Sequence, residues 1–222
     1  MVSALSGRTD DLVSACDRVA ARPSAAACAP LANAEVDDLS ILGEIEERGL
    51  ARATFGGGCF WCMEPPFDKL DGVEATVSGY IGGFTDNPTY QDVAADRTGH
   101  AEVVQVIYDP ETITYAELLD VFWRNIDPTV ANRQFCDRGS QYRTGIFFHG
   151  DEQQQAAEAS KQAIIDSGRF PQVVTEVTAA STFYVAEEYH QDFYVKKPGH
   201  YKRYRVGCGR DARLEKLWGE AK

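Results

Sequence analysis

Two cysteines three residues apart carry the strongest chemical signal in the sequence. Cys59 follows three consecutive glycines, and the residues after it are Phe60, Trp61 and Cys62. A cysteine in a glycine-rich loop between a strand and a helix lies where backbone N–H groups and the helix dipole stabilise a thiolate. Two aromatic side chains beside that sulfur would hold a soft, apolar group such as a methyl or a thioether. The segment therefore predicts a nucleophilic cysteine with an aromatic pocket.

Five short motifs that lie in order along the chain narrow the chemistry. They are Gly-Cys-Phe-Trp at 58–61, Gly-Tyr-Ile-Gly-Gly at 79–83, Asn-Pro-Thr-Tyr at 87–90, Gly-His-Ala-Glu at 99–102 and Asp-Arg-Gly-Ser-Gln-Tyr-Arg at 137–143. Together they resemble the motifs of the A-type methionine sulfoxide reductases, over about residues 52–218. Five motifs in the same order are far more specific than any one of them.

The resemblance implies an enzyme that reduces the S-epimer of methionine sulfoxide, because separate enzymes handle the two sulfoxide epimers. Its expected substrates are oxidised proteins and free methionine sulfoxide. It also implies that no cofactor takes part and that thioredoxin is the external thiol reductant. We expect the chain to be a monomer.

Glu102 is the expected proton donor of this reaction. When Cys59 attacks the sulfoxide sulfur, the oxygen gains negative charge, so the site needs an acid and hydrogen bonds aimed at that oxygen. A glutamate serves as that acid near neutral pH only if a dry, aromatic pocket favours its protonated form. The resemblance further implies that Tyr80, Tyr142 and Asp137 help to bind the oxygen, Asp137 partly through water.

Four residues are expected to bind the rest of the substrate. Phe60 and Trp61 are adjacent to the nucleophile, and Tyr189 and His190 resemble positions near the family's pocket. A histidine on a helix is more often structural, so the pattern supports a substrate-binding role for His190 less strongly. His100 has the pattern of a residue that leads from a loop into a strand.

The cysteine that resolves the sulfenic acid of Cys59 is open between two candidates. Cys62 forms a Cys-x-x-Cys pair with the nucleophile, a spacing that allows a disulfide. Cys208 lies between Gly207 and Gly209 and could reach the site on a flexible tail, which favours it slightly. Many relatives carry glycine at the position of Cys62 and two cysteines in the tail, whereas this tail has one.

Three alternatives use the same residues differently. A thioredoxin-like oxidoreductase would use Cys59 and Cys62, although Phe-Trp between them would obstruct a protein disulfide. A cysteine hydrolase would pair Cys59 with His190, without a recognisable Asn or Asp partner. A zinc-binding module would recruit Cys136 and Cys208 as well, but structural zinc sites usually bring two Cys-x-x-Cys knuckles. Otherwise Cys136 is expected to be structural, and Cys16 and Cys28 have no assigned role.

Composition and charge exclude several classes of partner. The 222 residues carry a formal net charge of −12, which disfavours nucleic acid and anionic membrane surfaces. The sequence shows neither a membrane-spanning apolar run nor a secretory signal pattern, so we expect a cytoplasmic protein. Six cysteines are too sparse for a disulfide-stapled secreted domain of this length.

Two regions are predicted, an N-terminal appendage over residues 1–50 and a catalytic domain over 51–222. Every Trp, Tyr and Phe lies at or after Phe55, whereas the earlier residues are rich in Ala, Ser, Asp and Glu. Short helical patterns at 9–22 and 38–50 are the only organisation expected in the appendage, which is otherwise loosely packed or partly disordered.

The order of elements in the catalytic domain predicts an α+β fold. Strands at 52–55, 73–80, 101–108 and 144–149 and helices at 64–70 and 114–126 follow the split β-α-β pattern of a ferredoxin-like two-layer sandwich. A helix at 151–167, a strand at 173–179 and a long coil tail that contains the aromatic stretch 183–204 complete the domain. Pro66 cannot donate to a helix that runs on from Cys59, so that helix is expected to kink or to start near Pro65.

Overall fold

The computed structural model describes residue 45 and residues 47–219. The helix predicted at 9–22, most of the one predicted at 38–50, and Cys16 and Cys28 lie outside the described residues. Among the residues that are described, no helix has both the length and the apolarity needed to cross a membrane.

Eight strands and seven α-helices follow one another in the described part of the chain. In order they are β1 (Ala51–Gly57), α1 (Phe60–Asp68), β2 (Val73–Ile81), α2 (Tyr90–Ala94), β3 (Ala101–Tyr108), α3 (Tyr115–Arg124), β4 (Arg133–Gln134), β5 (Asp137–Arg138), β6 (Thr144–Phe148), α4 (Asp151–Asp166), β7 (Glu176–Ala179), β8 (Tyr184–Val185), α5 (Phe193–Lys196), α6 (Pro198–Gly207) and α7 (Arg210–Trp218). Short 3₁₀ turns lie at Ser140–Tyr142 and Glu188–His190.

A six-stranded mixed sheet forms the centre of the molecule, in the order β7-β6-β1-β3-β2-β8. All neighbouring strands are antiparallel except β6 and β7, which are parallel. The predicted sequence of strands and helices from β1 to β6 is therefore observed, with the short helix α2 and the β4–β5 hairpin added between its parts.

The helices α1, α3 and α4 pack on one face of this sheet. Successive side chains of a strand point to opposite faces, and β3 shows this alternation: Val104 and Val106 join the helices, whereas Val103 and Ile107 belong to a second cluster on the other face. Glu102 has the same parity as Val104, so it points to the side on which α1 lies. The pleat of β3 thus aims one carboxyl group at the start of α1.

Helix α1 begins earlier than the sequence pattern indicated. It starts at Phe60, directly after Cys59, and contains both Pro65 and Pro66. A proline inside a helix removes a backbone hydrogen bond, so local hydrogen bonding favours a later start. Tertiary packing overrides this preference, because Phe60, Met63 and Phe67 are all buried against the sheet.

The long coil tail expected over the aromatic stretch 183–204 is wrong, because this region contains β8, α5 and most of α6, and α7 follows. The abundance of tyrosine and charge had argued against a core helix. The helix α6 buries none of its residues fully: Lys202 and Arg203 are exposed, whereas Tyr201, Tyr204 and Arg205 are half-buried. A surface helix of this kind lacks the apolar stripe that reveals most helices in a sequence.

We expect Gly79→Ala to lower the free energy of unfolding by about 1–3 kcal/mol, the usual cost of overpacking. A β-carbon at this position in β2 would lie 2.5 Å from the backbone oxygen of Tyr184 and 2.3 Å from the Phe183 ring. Strand β8 would have to move away from β2. Urea denaturation measures the effect.

The matched control is Gly199→Ala in α6, where the nearest atom to an added β-carbon is the end of the Arg203 side chain at 3.7 Å. This change should leave stability equal or slightly raised. Equal unfolding midpoints for the two variants would contradict the close approach of β8 to Gly79.

Candidate active site

A small cavity at the start of α1 gathers most of the residues that the motifs singled out. Its volume is about 100 Å³. The residues that line it are Cys59, Phe60, Trp61, Tyr90, Glu102, Asp137, Tyr142 and Tyr204. A wider cleft of about 610 Å³, beside Ala51 and Arg52, is lined by no cysteine. The chemistry therefore concentrates in the smaller cavity.

Cys59 lies at the N-cap of α1 and is 7% exposed, while Cys62 in the first turn is 2% exposed. The backbone N–H of Cys62 donates to the Cys59 carbonyl over 3.0 Å, which keeps the two thiols on neighbouring positions of one tight turn. Burial raises the pKa of Cys59 well above its ordinary value, and the contacts with Cys62 and Glu102 raise it further. A hydrogen bond with Tyr204 opposes the rise.

The pKa of Cys62 shifts in the opposite direction. The hydrogen bond with the Cys59 thiol lowers the pKa of Cys62 to about 6 despite its burial, and the charges of Arg210 and Arg205 act in the same direction as that bond. The contact between the two thiols thus favours the anionic form of Cys62 over that of Cys59. The sequence predicted a stabilised thiolate at Cys59 from the helix dipole, but it carries no information on burial or on the contact between the two thiols.

Arg210 brings a buried positive charge to the start of α1. It is 1% exposed, and its guanidinium donates to the carbonyl oxygens of Gly57 and Asn125 over 3.2 and 2.6 Å. It also lies over the Phe135 ring, with 4.4 Å to the ring centroid. None of these partners is anionic, so this charge remains available to stabilise an anion at Cys62.

Glu102 lies on β3 directly opposite Tyr80 of β2. The Phe60 backbone N–H donates to Glu102 Oε2 over 3.2 Å, which joins the carboxyl group to the first residue of α1. Burial raises the pKa of Glu102 to about 8, and the Phe60 N–H acts against this rise. The carboxyl group consequently holds its proton at neutral pH and loses it as the pH rises through about 8.

Tyr90 and Tyr142 bring two phenol groups to the cavity from separate segments. Tyr90 opens α2, which Thr89 caps, and Tyr142 closes the 3₁₀ turn that precedes β6. Burial raises the pKa of Tyr90 to about 12 and also raises the pKa of Tyr142. Both hydroxyl groups therefore stay protonated and able to donate hydrogen bonds.

Tyr80 is not among the residues that line this cavity, contrary to the expectation from its motif. Its hydroxyl donates to Glu187 Oε2 over 2.9 Å, and its ring lies behind Phe60 with 6.0 Å between centroids. The other oxygen of Glu187 accepts the backbone N–H of Tyr90 over 2.8 Å. Tyr90, the last residue of the Asn-Pro-Thr-Tyr motif, takes the place expected for Tyr80, and that motif could have identified it.

Asp137 and Tyr204 form the wall of the cavity opposite the sheet. The Tyr204 hydroxyl donates to Asp137 Oδ2 and also bonds to the Cys59 thiol. Burial raises the pKa of Asp137 above its ordinary value. Sequence reasoning missed Tyr204, because nothing in the charged stretch around it distinguishes this tyrosine from its neighbours.

The four residues expected to bind substrate divide into two pairs. Phe60 and Trp61 line the cavity, whereas His190 and Tyr189 are not among the lining residues. The Trp61 indole N–H donates to His190 Nδ1 over 3.0 Å, and Trp61 stacks on Phe193 with 3.7 Å between centroids. Burial lowers the pKa of His190 to about 4, so this histidine is neutral and orients Trp61. Tyr189 is 57% exposed beside it.

The remaining cysteines of the described region form a disulfide between Cys136 and Cys208, with 4.9 Å between their α-carbons. Cys208 caps the C-terminal end of α6, so the flexible tail expected around it is wrong, as the helix continues almost to that residue. The four cysteines lie in two separate pairs, which argues against the zinc module. The hydrolase alternative fails on His190, whose Nδ1 accepts from Trp61.

Comparisons with known proteins identify the family of this chain. The family model described as peptide methionine sulfoxide reductase matches residues 51–222. The chain is 54% identical over 168 residues to peptide methionine sulfoxide reductase MsrA of Bacillus subtilis, which covers 75% of this chain and 95% of the relative. It is 53% identical over 173 residues to the MsrA of Listeria innocua, which covers 78% of this chain and 98% of the relative.

Solved structures show the same similarity. Reduced Mxr1 from Saccharomyces cerevisiae is 36% identical with a TM-score of 0.64, over 68% of this chain and 87% of that one. Methionine sulfoxide reductase A of Corynebacterium diphtheriae is 36% identical with a TM-score of 0.61, over 68% of this chain and 76% of that one. The chain therefore belongs to the peptide methionine sulfoxide reductase family and is an oxidoreductase that reduces methionine sulfoxide in a thiol-dependent reaction.

Proposed function

We propose that the chain reduces the S-epimer of methionine sulfoxide, in proteins and as the free amino acid, with Cys59 as nucleophile and Glu102 as acid. The observation that carries this proposal is that a thiol and a carboxyl group protonated at neutral pH line the same small aromatic cavity. Nucleophilic attack on a sulfoxide needs both groups at once, because the oxygen must gain a proton as it leaves the sulfur.

The shape of the cavity supports selection of one epimer. Phe60 and Trp61 offer an apolar surface for the sulfoxide methyl group, while Tyr90 and Tyr142 offer two hydroxyl donors for the oxygen. The remainder of the methionine side chain must extend out of the cavity through its opening. When the pocket fixes the directions of the methyl group, the oxygen and the rest of the chain, only one configuration of the chiral sulfur leaves its open side facing Cys59.

The first chemical step moves an oxygen atom from substrate to enzyme. The proton that Cys59 shares with Cys62 passes to Cys62, and the Cys59 thiolate attacks the sulfoxide sulfur while Glu102 protonates the oxygen. The hydroxyl group then passes from the substrate sulfur to the Cys59 sulfur, so the S–O bond and the newly formed bond between the two sulfurs both break, methionine leaves and Cys59 becomes a sulfenic acid. Tyr90 and Tyr142 stabilise the charge that develops on the oxygen during this step.

We assign the resolving role to Cys62 rather than to Cys208, which the sequence slightly favoured. Cys62 is a free thiol one helical turn from Cys59, whereas the sulfur of Cys208 is already bonded to Cys136. Attack of Cys62 on the sulfenic sulfur forms the Cys59–Cys62 disulfide, and the proton that Cys62 gained in the first step leaves with the sulfenic hydroxyl group as water. An external dithiol, which the resemblance identifies as thioredoxin, then restores the two thiols without any further cofactor.

The finer description of the fold and of the domains belongs to the same proposal. The order β6-β1-β3-β2 with antiparallel neighbours supports a ferredoxin-like two-layer sandwich at the centre of the domain. The family match over residues 51–222 supports a catalytic domain with these bounds and an appendage over 1–50.

Cys59→Ser should abolish reduction of a methionine-S-sulfoxide peptide, because a neutral serine hydroxyl cannot replace the thiol as nucleophile and oxygen acceptor. Methionine formation in the presence of dithiothreitol measures this, with each sulfoxide epimer supplied separately. The matched control, Cys16→Ser, removes a cysteine of the N-terminal region and should remain active. Comparable turnover of the R-epimer by the unmodified protein would contradict the proposed pocket.

Glu102→Gln should slow the reaction by about 10²- to 10⁴-fold at pH 7, the usual contribution of a general acid. The carboxyl group is protonated below its pKa of about 8, so the single-turnover rate of the unmodified protein should fall as the pH rises through about 8. The glutamine variant should lack this decline. Rapid-quench measurement of methionine from pH 6 to 10 tests both statements, and an unchanged rate would remove Glu102 from the mechanism.

The double substitution of Tyr90 and Tyr142 by phenylalanine should lower the rate constant of sulfoxide reduction by about 10²-fold or more, because both donors to the oxygen are lost. Tyr80→Phe is the matched comparison, since it also removes a buried phenol hydroxyl, but one that bonds to Glu187. Its effect should be much smaller. A larger loss of rate in Tyr80→Phe than in the double variant would instead identify Tyr80 as a residue that binds the sulfoxide oxygen.

A further inference from the structure

Positive charge is concentrated in one stretch of this acidic chain. Residues 193–210, which form α5, α6 and the start of α7, carry six of the 22 lysine and arginine residues and no aspartate or glutamate. The chain as a whole has a formal net charge of −12, so the remainder of the sequence is more negative than this total. The C-terminal helices therefore attract anionic groups that the rest of the chain repels.

Three of these six cations are free to meet a partner. Lys197, Lys202 and Arg203 are exposed, and in the described part of the chain none of them forms an ion pair. The other three are already engaged in ion pairs or are buried, namely Lys196, Arg205 and Arg210.

The free cations lie beside the active-site cavity. Tyr204 of α6 lines the cavity, and Lys202 and Arg203 directly precede it in the same helix, of which Lys197 is the N-cap. A helix rises about 1.5 Å per residue, so the charges of Lys202 and Arg203 lie within one turn of the cavity wall. This separation is shorter than the Debye length of about 10 Å at 0.1 M salt, so these charges act on groups at the opening.

The β4–β5 hairpin adds positive charge to the same wall. Arg133 and Arg138 are paired across its two strands, while its carboxylate, Asp137, accepts the Tyr204 hydroxyl at the cavity. The disulfide described above joins this hairpin to the end of α6, with 4.9 Å between the two α-carbons. We define the basic rim as the five cations of the two segments that form no ion pair within the described residues: Arg133, Arg138, Lys197, Lys202 and Arg203.

A protein substrate must place residues over this rim. A cavity of about 100 Å³ holds the end of one side chain, so the residues before and after an oxidised methionine stay outside it. Free methionine sulfoxide has no such residues. Aspartate or glutamate on either side of the sulfoxide would be attracted to the rim, whereas lysine or arginine would be repelled.

We propose that the basic rim binds acidic residues that flank an oxidised methionine, so that the chain selects sulfoxides in acidic protein segments. This inference rests on the proposed function, because it assigns a substrate class to the same cavity. The rim cations do not line the cavity. They bind the substrate equally before and during the chemical step, which lowers KM and leaves kcat unchanged.

The test compares two methionine-S-sulfoxide peptides that differ only in their flanks, with two aspartates or two lysines on each side of the sulfoxide. Dithiothreitol is the reductant, so no protein reductant takes part. At about 0.01 M ionic strength the full chain should have a kcat/KM about 10-fold or more higher for the acidic peptide, through KM. At about 1 M, where the Debye length is about 3 Å, the two values should approach each other.

Reversal of the three free cations of α6 should reverse the preference. In the triple variant Lys197→Glu, Lys202→Glu, Arg203→Glu, the lysine peptide should have the higher kcat/KM at low salt, because the surface beside the cavity becomes negative. The ratio of the two kcat/KM values is the readout, since any change in the cavity itself affects both peptides equally. The salt dependence of the unmodified protein tests the same attraction without a variant.

The matched control is the triple variant Lys69→Glu, Arg124→Glu, Lys161→Glu. It changes the net charge by the same amount, but outside the basic rim, and it should retain the preference for the acidic peptide. An equal loss of preference in the two triple variants would overturn the proposal, because net charge alone would then explain it.

Equal kcat/KM values for the two peptides in the unmodified protein at low salt would also overturn the proposal. So would a defect of the rim variant that appears only when a protein dithiol replaces dithiothreitol, since the rim would then bind the reductant. Failure of the proposed function is a separate result. In that case no methionine would form even from N-acetyl-methionine-S-sulfoxide amide, a neutral substrate without flanking residues.

Discussion

The contact between the start of α1 and the strand β3 is the constraint on which the rest of the site depends. The Phe60 backbone N–H has no partner within its own helix, because it belongs to the first turn, and it donates to the Glu102 carboxyl group. This bond places the proposed proton donor beside the N-cap residue Cys59. The same contact buries the carboxyl group, which raises its pKa and keeps it protonated. One contact thus determines both the position and the protonation state of the Glu102 carboxyl group.

Burial has a cost for the nucleophile that the fold partly offsets. It raises the pKa of Cys59, and a protonated thiol is a poor nucleophile. The neighbouring Cys62, whose pKa is lowered by the Cys59 contact and by the Arg210 charge, favours an anion one helical turn away. In the proposed reaction, a proton exchange between the two adjacent sulfurs creates the attacking thiolate. Cys62 is therefore both a reservoir of charge and the proposed partner in the disulfide.

The C-terminal helices complete a site that the central sheet leaves open. Phe193 in α5 stacks on Trp61, and Tyr204 in α6 bonds to Asp137. These helices have little apolar surface of their own, and they are held by aromatic contacts and hydrogen bonds to the pocket wall. The position of these helices depends on the same groups that would bind the substrate, so the helices and the pocket wall form one unit.

The sequence alone determined the family and the order of the central strands and helices, and it identified the residues proposed as nucleophile and proton donor. These features depend on short contiguous motifs and on apolar periodicity, which neighbouring residues express directly. Tertiary structure alone decided that α1 begins at Phe60 despite Pro65, that Tyr90 rather than Tyr80 lines the cavity, and that Cys208 joins Cys136. Each of these outcomes depends on contacts between segments far apart in the chain, which no local pattern encodes. Burial, which raises the pKa values of Cys59 and Glu102, is likewise a property of the packed molecule.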